Sequence, residues 1–203
     1  MIFPRLERYA DGRLAFEDLA PAFLLLLMEV PDLLKTDEQP DEVHRRLFPD
    51  PGDDAAMKEE WARFVHPELF SLLASAREIV LHDLANVRPS SPEIGMGTWR
   101  MEIPPDHVNG WISALNAARL ALGAIQGIES EDDLHAFDDT PEGEEEDDAP
   151  VEFDERRFVI TKIHLLGELQ AMLIMDQCPP PPGFFPNMRE EDDDEEEEEE
   201  TGS

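Results

Sequence analysis

The chain has 203 residues, with 49 acids against 16 lysines and arginines and a formal charge of −33 at pH 7. A surface this negative repels phosphate, which argues against direct binding to DNA, RNA or anionic lipid. The single cysteine, Cys178, excludes an internal disulfide and suits a reducing cytoplasm.

In chain order, residues 5–16 read as two short alternating pieces about a turn. Leu6 and Tyr9 precede Asp11–Gly12, and Leu14 and Phe16 follow; Asp-Gly is a strong hairpin signal. No basic-then-apolar leader precedes them, so no signal peptide is expected. A two-stranded hairpin is marginal alone and needs a helix to pack on. Helix one is expected over residues 18–34, with Asp18 as its N-cap and Pro31 as a kink. Phe23, Leu24, Leu27, Val30 and Leu34 give it a broad apolar face, and Leu25 and Leu26 make it apolar nearly all round. Its longest apolar run, residues 20–28, is too short for a membrane span, which needs about 20 residues.

Pro40–Asp41 opens a short helix through Arg45–Arg46 that Pro49 and Pro51 stop, with Phe48 as a core anchor. Asp53 and Asp54 begin the next helix, with Met57, Trp61 and Phe64 as its apolar stripe. His66–Pro67 is expected to interrupt it. A further helix then carries Leu69, Leu72, Leu73, Ala76, Ile79, Val80 and Leu84. Residues 87–97 hold Pro89, Pro92, Gly95 and Gly97 and read as a loop.

Residues 99–127 have the clearest grammar in the chain. Trp99–Ile103 alternates and can join the hairpin as a third strand. Pro104 and Pro105 suit a helix start, and Asp106 sits where the helix dipole favours negative charge. Val108, Ile112, Leu115, Leu122 and Ile125 recur at helical spacing, and Gly127 is a C-terminal stop. Asn116, Arg119 and Gly123 lie along another side of this helix. Arg119 beside Asn116 can bind a ligand carboxylate or phosphate; the competing reading pairs Arg119 with an acid on a neighbouring helix. Gly123 is expected to admit another backbone closely.

Past Gly127, Ser130–Asp133 caps a short helix through Phe137. Residues 138–155 and 190–200 contain eleven acids each, so 22 of the 49 sit in two runs and 27 face the 16 bases in the remainder. The expected organisation is a helical body over 1–137, a disordered acidic linker over 138–152, a helix over 153–178 and a Pro-rich, polyacidic disordered tail over 179–203. The 153–178 helix must dock its apolar face, either on the body or on a partner; packing on the body is the preferred reading. In the tail, Phe184 and Phe185 are candidate partner-binding aromatics.

The pieces Arg46–Leu47–Phe48–Pro49–Asp50, Glu60–Trp61–Ala62–Arg63–Phe64 and Leu115–Asn116–Ala117–Ala118–Arg119–Leu120–Ala121–Leu122–Gly123 resemble an uncharacterised bacterial family. It is known from actinobacteria as the domain of unknown function DUF2017. The resemblance covers roughly residues 14–128. It implies a fold, with no activity, cofactor or catalytic residue attached. Members are often encoded beside the Clp protease adaptor, and some are labelled transcriptional regulators. The chain departs from the usual pattern at Ala117–Ala118, where an acid is common, and in its acidic C-terminal third.

No Gly-rich phosphate loop, GxSxG or HExxH is present. The six histidines, at 44, 66, 82, 107, 135 and 164, form no close sequence pair, so neither a metal site nor a cofactor is expected. His82–Asp83 and Asp106–His107 can each be read as an acid–base pair or as surface and capping residues. The expected fold is mainly α: an orthogonal or irregular helical bundle with a small β-hairpin or three-stranded minor sheet. The expected function is a non-enzymatic regulatory or adaptor-like module. Its partner would be another protein, basic enough to be drawn by an electrostatic acidic tail. The alternative is a small-ligand site or enzyme centred on Arg119 and Asn116.

Overall fold

The computed structural model of the chain describes residues 3–90, 97–128, 130, 133 and 154–179. β1 (Arg5–Arg8) and β2 (Leu14–Leu19) form the hairpin, with Leu6 opposite Phe16 and Arg8 opposite Leu14. Gly12, at φ 87, turns the chain between them. β3 (Arg88–Pro89) and β4 (Trp99–Ile103) complete an antiparallel sheet of order β1-β2-β4-β3. The sheet thus has four strands, because the start of the expected 87–97 loop pairs with β4. Pro89 lies on the edge strand, where a missing N–H leaves no ladder bond unmade. Leu14 pairs with Ile103 and Phe16 with Met101, and all four are buried in the core.

Asp18 does not cap a helix. It stays in β2 at φ 58, within the register shift between Phe16 and Leu19. Its carboxylate accepts from Arg5 Nη2 at 2.8 Å, a bond a cap could not make from the sheet edge. The helix α1 (Pro21–Leu33) begins three residues later, with Ala20 as N-cap and Pro21 in its first turn. Pro31 sits inside it and α1 ends two residues beyond. Leu25 and Met28 point outward, so the helix is not apolar-buried all round.

α2 (Asp41–Leu47) is followed by Phe48, which is buried against the rings of His44, His66 and Phe70. α3 (Ala55–Leu84) is one helix of 30 residues. The expected break at His66–Pro67 is absent. Pro67 is exposed, and so is Arg63, whose carbonyl lost its proline-side donor and can turn to solvent. The N-cap is Asp54, accepting from Ala56 N and Met57 N.

A 3-10 turn, Pro105–His107, leads into α4 (Val108–Ile125), which touches α1, α2, α3 and the last helix, α5 (Glu155–Gln177). The buried face of α4 is Val108, Trp111, Ala114, Leu115, Ala118, Ala121 and Leu122, whereas Ile125 is exposed. Gly127 stands at φ 64; Ile128 N bonds Gly123 O and Gly127 N bonds Ala124 O, which closes a Schellman cap. The backbone that comes close to Gly123 is therefore the chain's own return at Ile128.

α5 lays Val159, Ile160, Ile163, Leu166, Leu169 and Leu173 into the core against α4. It is long and apolar enough to cross a bilayer by length and composition, yet this apolar face is spent inside the protein. Lys162 pairs with Glu29 of α1 at 2.6 Å, and Arg8 pairs with Asp176, so ion pairs tie both ends of α5 to the body. Ser130 and Asp133 make reciprocal capping bonds of 2.9 and 3.3 Å. The expected helix through Phe137, the acidic linker, Phe184, Phe185 and the tail lie outside the described residues.

Candidate functional site

The apolar positions of the C-terminal half of α3 run Leu73, Ala76 and Val80. The next residue at that spacing is Asp83, so helical geometry drives a carboxylate into the core. It is 2% exposed. An ionised carboxylate there needs donors on several sides. Trp111, on α4, supplies one: its Nε1 donates to Asp83 Oδ2 at 2.8 Å, and the indole is fully buried.

The approach that makes this bond possible is set by Gly110. A Cβ at that position would lie 2.5 Å from Ile79 Cδ1 of α3. A side chain here would push the end of Ile79 aside, so glycine suits the close approach of the first turn of α4, where the neighbouring Trp111 reaches Asp83.

Two imidazoles complete the cluster. His107, from the 3-10 turn, places Nδ1 2.9 Å from Asp83 Oδ1 and 3.0 Å from Oδ2. His82 places Nδ1 3.0 Å from Oδ1. A carboxylate accepts only, so both Nδ1 atoms donate to it. The rings meet edge to face, with centroids 5.5 Å apart. The His82 side chain is 65% exposed and that of His107 is 21% exposed, so one side of the cluster opens to solvent. Among the described residues, the ion pairs of Asp83 are with these two histidines, and neither lysine nor arginine joins them.

This constellation was not assembled from sequence. His82–Asp83 and His107 lie 24 residues apart, and His107 was set beside Asp106 instead. The readable signal was Asp83 itself, a charged residue at the next buried position of a helical stripe.

Among the described residues, no carboxylate joins Arg119 and Asn116 in a common pocket. Asn116 is exposed. Arg119 Nη1 donates to Gln170 Oε1 of α5 at 2.8 Å, and Gln170 Nε2 donates to Ile112 O of α4 at 3.3 Å. The guanidinium lies over Gly167, where a Cβ would come within 3.3 Å of it. The expected acidic partner is thus replaced by a buried amide, which bridges α4 and α5. Arg119 Nε is buried with no partner.

A second feature is on the surface. The N-terminal half of α3 meets the body on one side, where His66 and Phe70 pack on Phe48, and is exposed on the other. Met57, Trp61, Phe64, Glu68 and Leu72 fall on one side of it, at helical spacing. Met57, Phe64 and Leu72 are 51%, 58% and 52% exposed. Glu60 borders this stripe and Glu68 lies on it, and no ion pair joins either to the described residues. Met57 and Phe64, expected to be core, therefore face outward, whereas Trp61 is half-buried. A cleft of about 270 Å³ lies on the other side of α3, lined by Lys35, Phe70 and Arg77 among others.

The fold and these features define a mainly helical domain with a minor antiparallel sheet, a buried carboxylate knot and one projecting amphipathic helix. Residues 8–175 match the family described as Domain of unknown function (DUF2017), which is most of the chain, and the chain belongs to that family. The match extends past the motifs at 46–50, 60–64 and 115–123 to take in α5. No curated protein and no solved structure matches the chain.

Proposed function

We propose that the chain is a non-enzymatic interaction module of the cytoplasm, and that the projecting half of α3 is its docking element. The observation that carries this is the exposure of Met57, Phe64 and Leu72 along one side of a helix whose opposite side packs on Phe48 through His66 and Phe70. Apolar side chains at this spacing are the usual anchors of a helix laid in a groove. The occupant is a protein that offers an apolar groove edged by lysine and arginine. Glu60 and Glu68 supply the complementary charge. A second copy of the chain is the poorer fit, because two bodies of the same strong charge repel. The run of acids from Glu190 to Glu200 draws the same basic partner from a distance, and Phe184 and Phe185 add apolar contact beside it.

The test is capture from native lysate with the unaltered chain, with Met57→Ser/Phe64→Ser, and with a chain ending at Met188. Both substituted side chains are exposed, so the double variant keeps the fold. A basic protein held by the unaltered chain, lost by the double variant and weakened by salt or by truncation supports the proposal. Capture that ignores the double variant removes α3 from the interaction. Self-association of the purified chain that the double variant abolishes makes the occupant a second copy.

A further inference from the structure

The Asp83 cluster offers more than hydrogen bonds. One ring nitrogen of His82, an oxygen of Asp83 and one ring nitrogen of His107 all lie within 4.8 Å of one another, and in both rings it is Nδ1 that faces Asp83 Oδ1. We propose that these three residues bind a divalent transition-metal ion of the zinc class.

Five observations converge on this. The Nδ1-to-oxygen separations are 2.9 and 3.0 Å. Ligands bound at about 2.1 Å and at right angles stand about 3.0 Å apart, and tetrahedral ligands about 3.4 Å, so the side chains need shift little to share one ion. Two imidazoles with one carboxylate are a donor set that suits zinc and its neighbours better than magnesium or calcium, which prefer all-oxygen shells.

The charge balance points the same way. Among the described residues no lysine or arginine lies beside the buried Asp83, so a bound cation would meet a carboxylate that no permanent positive charge neutralises. The outer shell is also in place. Trp111 Nε1 holds Asp83 Oδ2 at 2.8 Å, which orients the carboxylate and leaves Oδ1 toward both rings. Finally, the exposed ring of His82 gives an entry path and leaves further positions on the ion to solvent.

Binding requires each imidazole to give up the Nδ1 proton that it shares with Asp83; the metal takes the Nδ1 lone pair, and the neutral ring carries its proton at Nε2. The ion would pin the end of α3 to the turn that opens α4. It would tie the base of the projecting helix to the body without touching the Met57–Leu72 face, so the site stands whether or not that face docks a partner.

The experiment is calorimetric titration of the full-length chain with zinc alone, in excess magnesium so that the acidic runs are already occupied. It is run on the unaltered chain, on His82→Ala and on His107→Ala. Nitrogen-15 spectra of the histidine rings are recorded with and without zinc. His82 is largely exposed, so its variant keeps the fold even where His107→Ala does not. The expected result is one zinc site per chain, at least tenfold weaker in His82→Ala, with both rings moving from Nδ1–H to Nε2–H. The melting midpoint of the unaltered chain should rise with zinc and that of His82→Ala should not. Three results would overturn the proposal: no saturable site in the unaltered chain, a site of unchanged affinity in His82→Ala, or both rings keeping Nδ1 protonated at saturating zinc.

Discussion

The bond between Trp111 and Asp83 should be the strongest polar fastening between α3 and α4. Both residues are buried and the donor–acceptor distance is 2.8 Å. A hydrogen bond to a charged group contributes about 1.5–3 kcal/mol, against about 1 kcal/mol for a neutral pair. His82 adds little, because solvent replaces its bond in the variant; His107, one-fifth exposed, adds a fraction. Asp83→Ala strands a buried indole N–H, so the net loss is about 3 kcal/mol. For a domain of this size that lowers the melting midpoint by roughly 6–12 °C. The decisive assay is a double-mutant cycle of Asp83→Ala and Trp111→Phe, by urea unfolding read from far-ultraviolet circular dichroism. A coupling of about 1.5–3 kcal/mol is expected. A coupling within the roughly 0.5 kcal/mol scatter of independent sites would refute the reasoning, since it would leave Asp83 and Trp111 as unrelated residues.

Leu115→Ala removes a fully buried side chain from the face of α4 and should destabilise by about 2–5 kcal/mol, read as a thermal or urea shift. Gly110→Ala forces a methyl against Ile79 and should cost about 1–3 kcal/mol. Adding Ile79→Val removes the nearest atom, so the pair should be more stable than Gly110→Ala alone. Tyr9 is the chain's single tyrosine, so phenolate absorbance reads it without overlap. Its hydroxyl donates to Glu17 at 2.9 Å, which lifts its pKa above the ordinary 10.0. The neutral form is thus favoured by the fold: the contribution is complete below pH 10 and fades as pH rises through the raised folded value. Glu17→Ala should bring the titration midpoint down, and an unchanged midpoint would deny the bond.

Much of the architecture was legible because periodicity and punctuation agree there. The Asp11–Gly12 turn, the alternation of Trp99–Ile103 and the spacing from Val108 to Leu122 each specify one element, and each is present. The misreadings share a cause: a local rule overridden by packing. Pro67 carries a strong stop signal, but its ring is on the solvent side, and the buried Leu73–Val80 stretch holds the helix in one piece. Asp18 has the chemistry of an N-cap, but it falls in the irregularity of β2 between Phe16 and Leu19, where Arg5 binds its carboxylate. Met57, Trp61 and Phe64 have the spacing of a core stripe, and spacing alone does not say whether the body reaches that far along α3. The Asp83 cluster was hidden for another reason. Its members come from two elements, and only the close crossing at Gly110 brings them together.

The claim that α3 is the docking element is tested most directly by photocrosslinking from position 64 in native extract. A photoreactive side chain there is compared with one at Leu25, which is equally exposed but lies on α1. The account predicts an adduct with a basic protein from position 64, none from position 25, and loss of the adduct in high salt. Adducts of equal yield from both positions, or from position 25 alone, would contradict it.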